Sequence, residues 1–118
     1  MKKWMLVVVI ACLLMVPLGT AHSGKHNRPQ WLPKVWWAIG MCETHLNWRH
    51  NRTTYEGAFG FHYDSWDRFR PTRYPKEAYL AKPRQQLYVA RQIHRRYGFT
   101  GWGCYGNSSY YYWLRRAP

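Results

Sequence analysis

The hydrophobic pattern of the chain predicts a first helix that starts near Pro33 and ends at about Glu43. Proline suits the first helical position because its missing N–H would have no partner there. Four apolar side chains recur at helical spacing and predict one buried stripe: Val35, Trp36, Ile39 and Cys42. Successive helical residues are separated by about 100° around the axis. Cys42 should therefore face the core, and Glu43 should lie at its border.

A second, longer helix is predicted from Pro83 to Tyr97, closed by Gly98 at the left-handed capping position. One of its faces is predicted to be buried and consists of Gln86, Val89, Ala90, Ile93 and Tyr97. The arginines of this helix lie mostly elsewhere and are predicted to be solvated: Arg84, Arg91, Arg95 and Arg96. This is the clearest helix in the sequence.

The segment from Thr44 to Phe61 is turn-like, because asparagines and glycines interrupt it throughout. Within it, Thr53-Thr54-Tyr55 has strand propensity. We expect a short β-hairpin, or an irregular loop, that crosses in front of Glu43.

Two shorter helices are predicted between the hairpin and the long helix. Asp64 or Ser65 would cap the first, which reaches Phe69, and Pro75 would start the second, which continues to about Ala81. The predicted fold class is therefore α+β and mainly helical, in one small domain.

The start of the chain has the features of a secretory signal peptide, predicted over residues 1–21. Two lysines precede an apolar run from Trp4 to Val16, which is too short to span a bilayer comfortably, and small residues follow. The alternative is a lipoprotein cleavage site that leaves Cys12 to carry the lipid. Residues 22–30 are predicted to be a basic, flexible lead-in. Residues 105–118 form a tyrosine-rich basic tail, which packs back on the domain or touches the wall or a membrane surface.

Removal of the signal peptide changes both the cysteine count and the charge. Cys42 and Cys104 remain, an even number in an oxidising compartment, and are predicted to form a disulfide. Such a bridge would stabilise the domain by about 4 kcal/mol in the chain-entropy model. The formal net charge falls from +13 to +11, because Lys2 and Lys3 are lost and all five acidic residues stay. This surface favours polyanions: nucleic acid, acidic lipids or the anionic polymers of a bacterial cell wall. Composition does not choose among them, and secretion makes nucleic acid the least suitable of the three.

The motif inventory leaves one candidate for catalysis. No HExxH, GxSxG, P-loop or dinucleotide fingerprint occurs, so neither a metal nor a cofactor is predicted. What remains is the carboxyl of Glu43, whose largely apolar flanks should raise its pKa as a general acid requires. Aromatic residues suited to stacking on sugar rings are Trp37, Trp48, Tyr55, Phe59, Phe61, Trp66 and Trp102. Of these, Trp66 and Trp102 are expected in the core.

Residues 31–104 resemble the catalytic domain of the resuscitation-promoting factors, which are lysozyme-like and lytic-transglycosylase-like secreted enzymes. The matching pieces occur in order: Cys42-Glu43 with Asn47-Trp48, then Gly57-Ala58-Phe59-Gly60-Phe61 followed by Trp66, then Tyr74-Pro75 with Gln85-Gln86, and finally Gly101-Trp102 with Cys104. Each piece alone is a weak signal, and together they are specific.

The resemblance implies a small lysozyme-like domain that cleaves the β-1,4 bond between N-acetylmuramic acid and N-acetylglucosamine in peptidoglycan. Glu43 would be the general acid and base. The substrate-binding residues would be Asn47, Trp48, Thr54, Tyr55, Gly57, Phe59 and Phe61. The partners would be glycan strands and anionic wall polymers, with no nucleic acid and no stable membrane span. The protein would act as a secreted, wall-associated monomer.

Two departures from the family pattern affect the predicted groove. Gly60 stands where the family usually has Gln, which should widen the groove, and Thr44-His45-Leu46 replaces small residues, so that Leu46 should narrow it. No second acid matches a catalytic position. Two other function classes stay open: a non-catalytic module that binds wall glycans, and a cationic antimicrobial protein.

Overall fold

The computed structural model describes residues 27–118, so the predictions for the signal peptide, Cys12 and most of the lead-in lie outside the described residues. The described elements follow one another as helix α1 (Lys34–Thr44), strands β1 (Tyr55–Glu56) and β2 (Phe61–His62), helix α2 (Tyr63–Phe69), a 3₁₀ helix (Ala78–Leu80), helix α3 (Pro83–Tyr97), a second 3₁₀ helix (Gly98–Gly101) and helix α4 (Ser108–Arg116). The predicted mainly helical α+β fold with a short hairpin is confirmed. None of the helices in this part of the chain is long and apolar enough to cross a membrane.

Helix α1 forms the centre of the core. All six residues from Trp36 to Met41 are buried, whereas Val35 and Cys42 of the predicted stripe are only partly buried, so the predicted stripe is only partly right. The reason is that neighbours cover the helix on opposite sides. The ring of Trp36 contacts Phe59 and Trp102, whereas the ring of Trp37 contacts Trp113 of α4.

The two-stranded sheet pairs Tyr55 with His62 and Glu56 with Phe61 in antiparallel register. The connecting loop is turned inward, because Gly57, Ala58 and Phe59 are all buried. The predicted hairpin is therefore confirmed. Its tip packs into the core.

The connector after the hairpin differs from the prediction at two points. His62, and not Asp64 or Ser65, caps α2, since its Nδ1 accepts the N–H of Asp64 at 3.3 Å. The helix predicted from Pro75 to Ala81 is only the 3₁₀ helix Ala78–Leu80. Side chains bond to its backbone there: Glu56 Oε2 accepts the N–H of Ala78, and Gln86 donates to carbonyls.

Helix α3 has the predicted bounds, and its four arginines are exposed as expected. Its buried face includes Leu87, whereas Tyr97 is exposed because it lies in the last turn. Gly98 has a positive φ of 66° as predicted, but its ψ of −162° lies outside the left-handed helical region.

The side chain of Gln86 bonds to four backbone groups in three segments of the chain beneath the hairpin. Its Oε1 accepts the N–H of Ala58 at 2.9 Å. The two N–H groups of its Nε2 are shared among three carbonyls, those of Trp48 and Ala78 at 2.9 Å and that of Ala81 at 3.1 Å. Gln86 is fully buried, so these contacts replace water for groups that would otherwise be costly to bury.

The tail packs back on the domain as helix α4. Asn107 caps this helix by accepting the N–H of Tyr110, and Tyr110 is buried. The predicted disulfide between Cys42 and Cys104 is confirmed, with their Cα atoms 5.9 Å apart. It links the end of α1 to the segment that leads into α4.

Candidate active site

A groove of about 400 Å³ lies between the end of α1, the hairpin and the loop after the second 3₁₀ helix. Its lining residues are Glu43, Thr44, His50, Tyr55, Gly60, Gly101, Trp102 and Gly103. Three separate stretches of the sequence therefore meet here. The disulfide and the buried hairpin tip hold them together.

Glu43 is the penultimate residue of α1 and is partly buried at the groove surface. The helix stops just after it because His45 and Leu46 both have left-handed φ values, of 56° and 57°. The N–H groups of these two residues turn back to the carbonyls of Met41 and Gly40, which closes the helix end. This ending fixes the backbone next to the carboxyl.

The environment of the Glu43 carboxyl favours its protonated form. Burial raises the pKa, and a hydrogen bond from the backbone N–H of Cys104 to Oε1, at 3.1 Å, opposes part of that rise. Burial is the larger effect, so the net pKa is raised. A carboxyl in this state can donate a proton at a pH at which an ordinary glutamate has already lost it.

Glu43 is the one carboxylate among the groove-lining residues of the described chain. The other four acidic residues line a separate pocket of about 440 Å³ beside α2: Glu56, Asp64, Asp67 and Glu77. Within residues 27–118, no group of three or more His, Cys, Asp and Glu side chains has the arrangement of a metal site. The groove therefore offers one acid together with hydroxyl and imidazole groups.

The groove continues beyond Glu43 as a smaller cleft of about 140 Å³ that shares Tyr55, Gly60, Gly101 and Trp102 with it. This extension also reaches Phe61 and Tyr97. An elongated cleft with aromatic walls suits a chain of sugar rings better than a small compact ligand.

The structure brings together only part of the predicted set of site residues. Glu43 and Tyr55 line the groove, and Phe61 lines its extension. Thr54 and Asn47 are exposed and do not line the groove. Trp48 lines a different pocket.

The remaining two, Gly57 and Phe59, are buried beneath the groove. The ring of Phe59 contacts Trp36, Trp48 and Phe61, so both of its faces are inside the core. These two residues support the groove and present no surface to a ligand.

Sequence reasoning did not name Thr44 or His50 as groove residues, and it expected Trp102 in the core. Thr44 follows the acid directly, but its hydroxyl also donates to the carbonyl of Ala58 at 2.7 Å, which no local pattern reveals. His50 carried no motif. Trp102 is buried to 94% as expected for the core, yet its remaining edge lines the groove between Gly101 and Gly103.

The two departures from the family pattern have different consequences. A Cβ at Gly60 would lie 3.6 Å from Oε2 of Glu43, so the glycine leaves this side of the carboxyl open. The prediction for Leu46 was wrong, because Leu46 does not line the groove. Its left-handed backbone directs the side chain back over the end of α1, where a Cβ at Gly40 would lie only 2.6 Å from its Cδ1.

Comparison with protein families identifies residues 32–105 as a transglycosylase-like domain. The chain belongs to this family. The matched segment contains every residue that lines the groove, and it ends before α4. Membership points to an enzyme that acts on peptidoglycan. A comparison with curated proteins returns no match.

Proposed function

We propose that this transglycosylase-like protein is a secreted lytic transglycosylase of the resuscitation-promoting-factor type, with Glu43 as its general acid and base. The bond cleaved is the β-1,4 linkage between N-acetylmuramic acid and N-acetylglucosamine. The observation that carries the proposal is the position of Glu43. It is a partly buried carboxyl with a raised pKa, held at the wall of an elongated aromatic groove.

In the first step, the protonated carboxyl of Glu43 donates its proton to the glycosidic oxygen. The bond from that oxygen to C1 of the muramic acid breaks, and positive charge develops on the ring as an oxocarbenium ion. The carboxylate that remains is negatively charged beside this cation. It stabilises the transition state electrostatically.

In the second step, the C6 hydroxyl of the same muramic acid attacks C1. Glu43 accepts the proton of that hydroxyl as the new O6–C1 bond forms, which gives a 1,6-anhydro product and restores the acid. No external nucleophile is consumed. The lack of a second groove carboxylate favours this route, because inverting hydrolysis needs a second carboxylate to activate water and retaining hydrolysis commonly uses one as nucleophile. Attack by the substrate's own acetamido group is the alternative that also needs no second acid.

The charge of the protein supports its placement at the cell wall. A formal net charge of +13, or +11 without residues 1–21, would concentrate a monomeric enzyme on anionic wall polymers. Because exposed charges are screened by salt, wall binding should weaken as ionic strength rises.

Mass analysis of the soluble products released from purified peptidoglycan tests the proposal. The expected products carry 1,6-anhydromuramic acid. Each is lighter than the corresponding hydrolytic product by one water molecule, about 18 Da. Hydrolytic products alone would overturn the intramolecular route. Absence of any cleaved glycan, with wall binding retained, would support the non-catalytic binding module.

A further inference from the structure

A second pocket next to the groove has features of a ligand site that the proposed reaction does not use. It encloses about 290 Å³ and lies between the loop after α1 and the start of α3. Its lining residues are Trp48, Arg49, Tyr79, Leu80, Ala81, Lys82 and Pro83. We refer to it as the Trp48 pocket.

The two sides of the Trp48 pocket are joined by the buried amide of Gln86. Its Nε2 donates to the carbonyl of Trp48 on one side and to that of Ala81 on the other. The ring of Trp48 is further fixed against Phe59, at 5.5 Å between centroids, and against Trp31, at 6.0 Å. The apolar wall of the pocket is therefore held in place without a ligand.

The chemistry of the pocket is a cationic rim around an apolar wall. Arg49 and Lys82 are exposed and line it, and no acidic residue does. Arg84 lies close by, with its guanidinium 4.8 Å from the ring centroid of Trp31. Leu80 is 54% exposed and gives the pocket an accessible apolar surface. A matching ligand carries carboxylates and small apolar groups.

The position of the pocket identifies such a ligand in the context of the proposed function, on which this step rests. Arg49 lines the pocket and the next residue, His50, lines the groove, so one short loop contributes to both sites. A glycan strand in the groove would carry its peptide stem, attached at muramic acid, beside it. That stem presents free carboxylates and the methyl groups of alanine.

We propose that the Trp48 pocket binds the peptide stem of peptidoglycan, with Arg49 and Lys82 pairing with its carboxylates and Leu80 and Trp48 covering its methyl groups. The enzyme would then recognise strands that carry stems and bind stripped glycan less tightly. The stem would also fix the register of the glycan relative to Glu43.

The experiment measures binding without turnover, in full-length protein carrying Glu43→Gln. Two ligands are compared by calorimetry: soluble glycan fragments with tetrapeptide stems, and the same fragments after an amidase has removed the stems. In this background, Arg49→Gln with Lys82→Gln should weaken binding of the stem-bearing fragments about fivefold to tenfold, as expected for two exposed ion pairs, and leave binding of the stripped fragments unchanged.

The matched control is Arg91→Gln with Arg95→Gln, which removes the same charge from the exposed face of α3. Equal weakening in both double variants, or equal weakening for both ligands, would show a general charge effect and overturn the inference. So would no weakening at all. Leu80→Ser, which changes no charge, should also weaken binding of the stem-bearing fragments selectively. Failure of cleavage by the wild-type protein would contradict the proposed reaction but would not alter this difference in binding.

Discussion

Glu43 and Cys104 are connected in two ways. The backbone N–H of Cys104 donates to Oε1 of Glu43 at 3.1 Å, and the side chain of Cys104 forms a disulfide with Cys42, the residue before the acid. The three residues that precede Cys104, Gly101 to Gly103, line the groove next to the carboxyl. The disulfide therefore positions the hydrogen-bond donor as well as stabilising the chain.

Replacement of the disulfide by two serines should reduce stability and activity together. Cys42→Ser with Cys104→Ser should lower the free energy of unfolding by about 2 to 4 kcal/mol, since the bridge closes a loop over a sequence separation of 62. Activity should fall further than the unfolded fraction explains, because the Cys104 N–H is no longer held against Glu43. Urea denaturation and cleavage rates at a temperature where the variant is folded measure the two effects. A reductant should lower the stability and the activity of the wild type and leave those of the variant unchanged.

The raised pKa of Glu43 predicts a specific pH dependence. The folded chain retains this proton at pH values where the unfolded chain, with an ordinary pKa of 4.5, has lost it. The contribution of Glu43 to stability is therefore greatest below pH 4.5 and is lost as the pH rises through the raised pKa. Glu43→Gln keeps an oxygen for the Cys104 N–H but has no such titration. Its unfolding free energy relative to the wild type should thus increase with pH across this window, and a difference independent of pH would contradict the assignment.

The same shift should appear in the enzyme kinetics. The proton donor must be protonated when the glycosidic bond breaks, so kcat/KM should decline as the pH rises through the raised pKa of Glu43. The decline should lie above the range of an ordinary glutamate. A profile that falls only at the pKa of an unperturbed carboxyl would show that burial does not tune this acid.

Substitution of Gly60 should lower the stability of the protein through its backbone conformation and raise the pKa of Glu43 through direct contact. Its φ of 60° is strained for any residue with a Cβ, so Gly60→Ala should lower the free energy of unfolding by about 1 to 2 kcal/mol. The added methyl group would lie 3.6 Å from Oε2 of Glu43 and remove water from it, which should move the kinetic pH limb upward. Gly106→Ala is the control, since φ is 80° there and no atom lies within 4 Å of the new carbon. It should lose stability without changing the pH profile.

Gln86 should be far more important for stability than the adjacent Gln85. Gln86→Ala would leave the buried N–H of Ala58 and the carbonyl of Ala81 without the partner that Gln86 provides, and each such group costs about 1 to 3 kcal/mol. We expect a loss of about 3 kcal/mol or more. Gln85 accepts only the N–H of Lys82 at the start of α3, so Gln85→Ala should cost about 1 kcal/mol. Chemical denaturation of the two variants measures their free energies of unfolding. Similar losses in the two variants would contradict the role assigned to Gln86.

The parts of the fold that local chemistry determines could be predicted from the sequence. Pro83 and Gly98 delimit α3, and its bounds follow directly. The glycines around Phe59 mark the hairpin, and the cysteine count marks the disulfide. In each case the deciding interaction lies within a few residues, or is a covalent bond between Cys42 and Cys104.

The parts that depend on contacts distant in sequence could not be predicted. The helix after Pro75 is reduced to a 3₁₀ helix because Glu56 and Gln86, which are distant in sequence, bond to its backbone. The composition of the groove could not be predicted for the same reason, because Thr44, His50 and Gly103 line one site only in the folded chain. Phe59 has the aromatic character of a sugar platform, but the inward turn of the hairpin tip buries it.

The rate at which purified peptidoglycan releases soluble muropeptides, measured for Glu43→Gln and Asp64→Asn beside the wild type, tests the central claim most directly. Both variants replace a carboxyl by an amide, but Asp64 lies in the separate acidic pocket. Glu43→Gln should lower the rate by about 10² to 10⁴ while wall binding is retained, as expected for loss of a general acid, and Asp64→Asn should keep the wild-type rate. A Glu43→Gln protein that still released muropeptides at the wild-type rate would contradict the account.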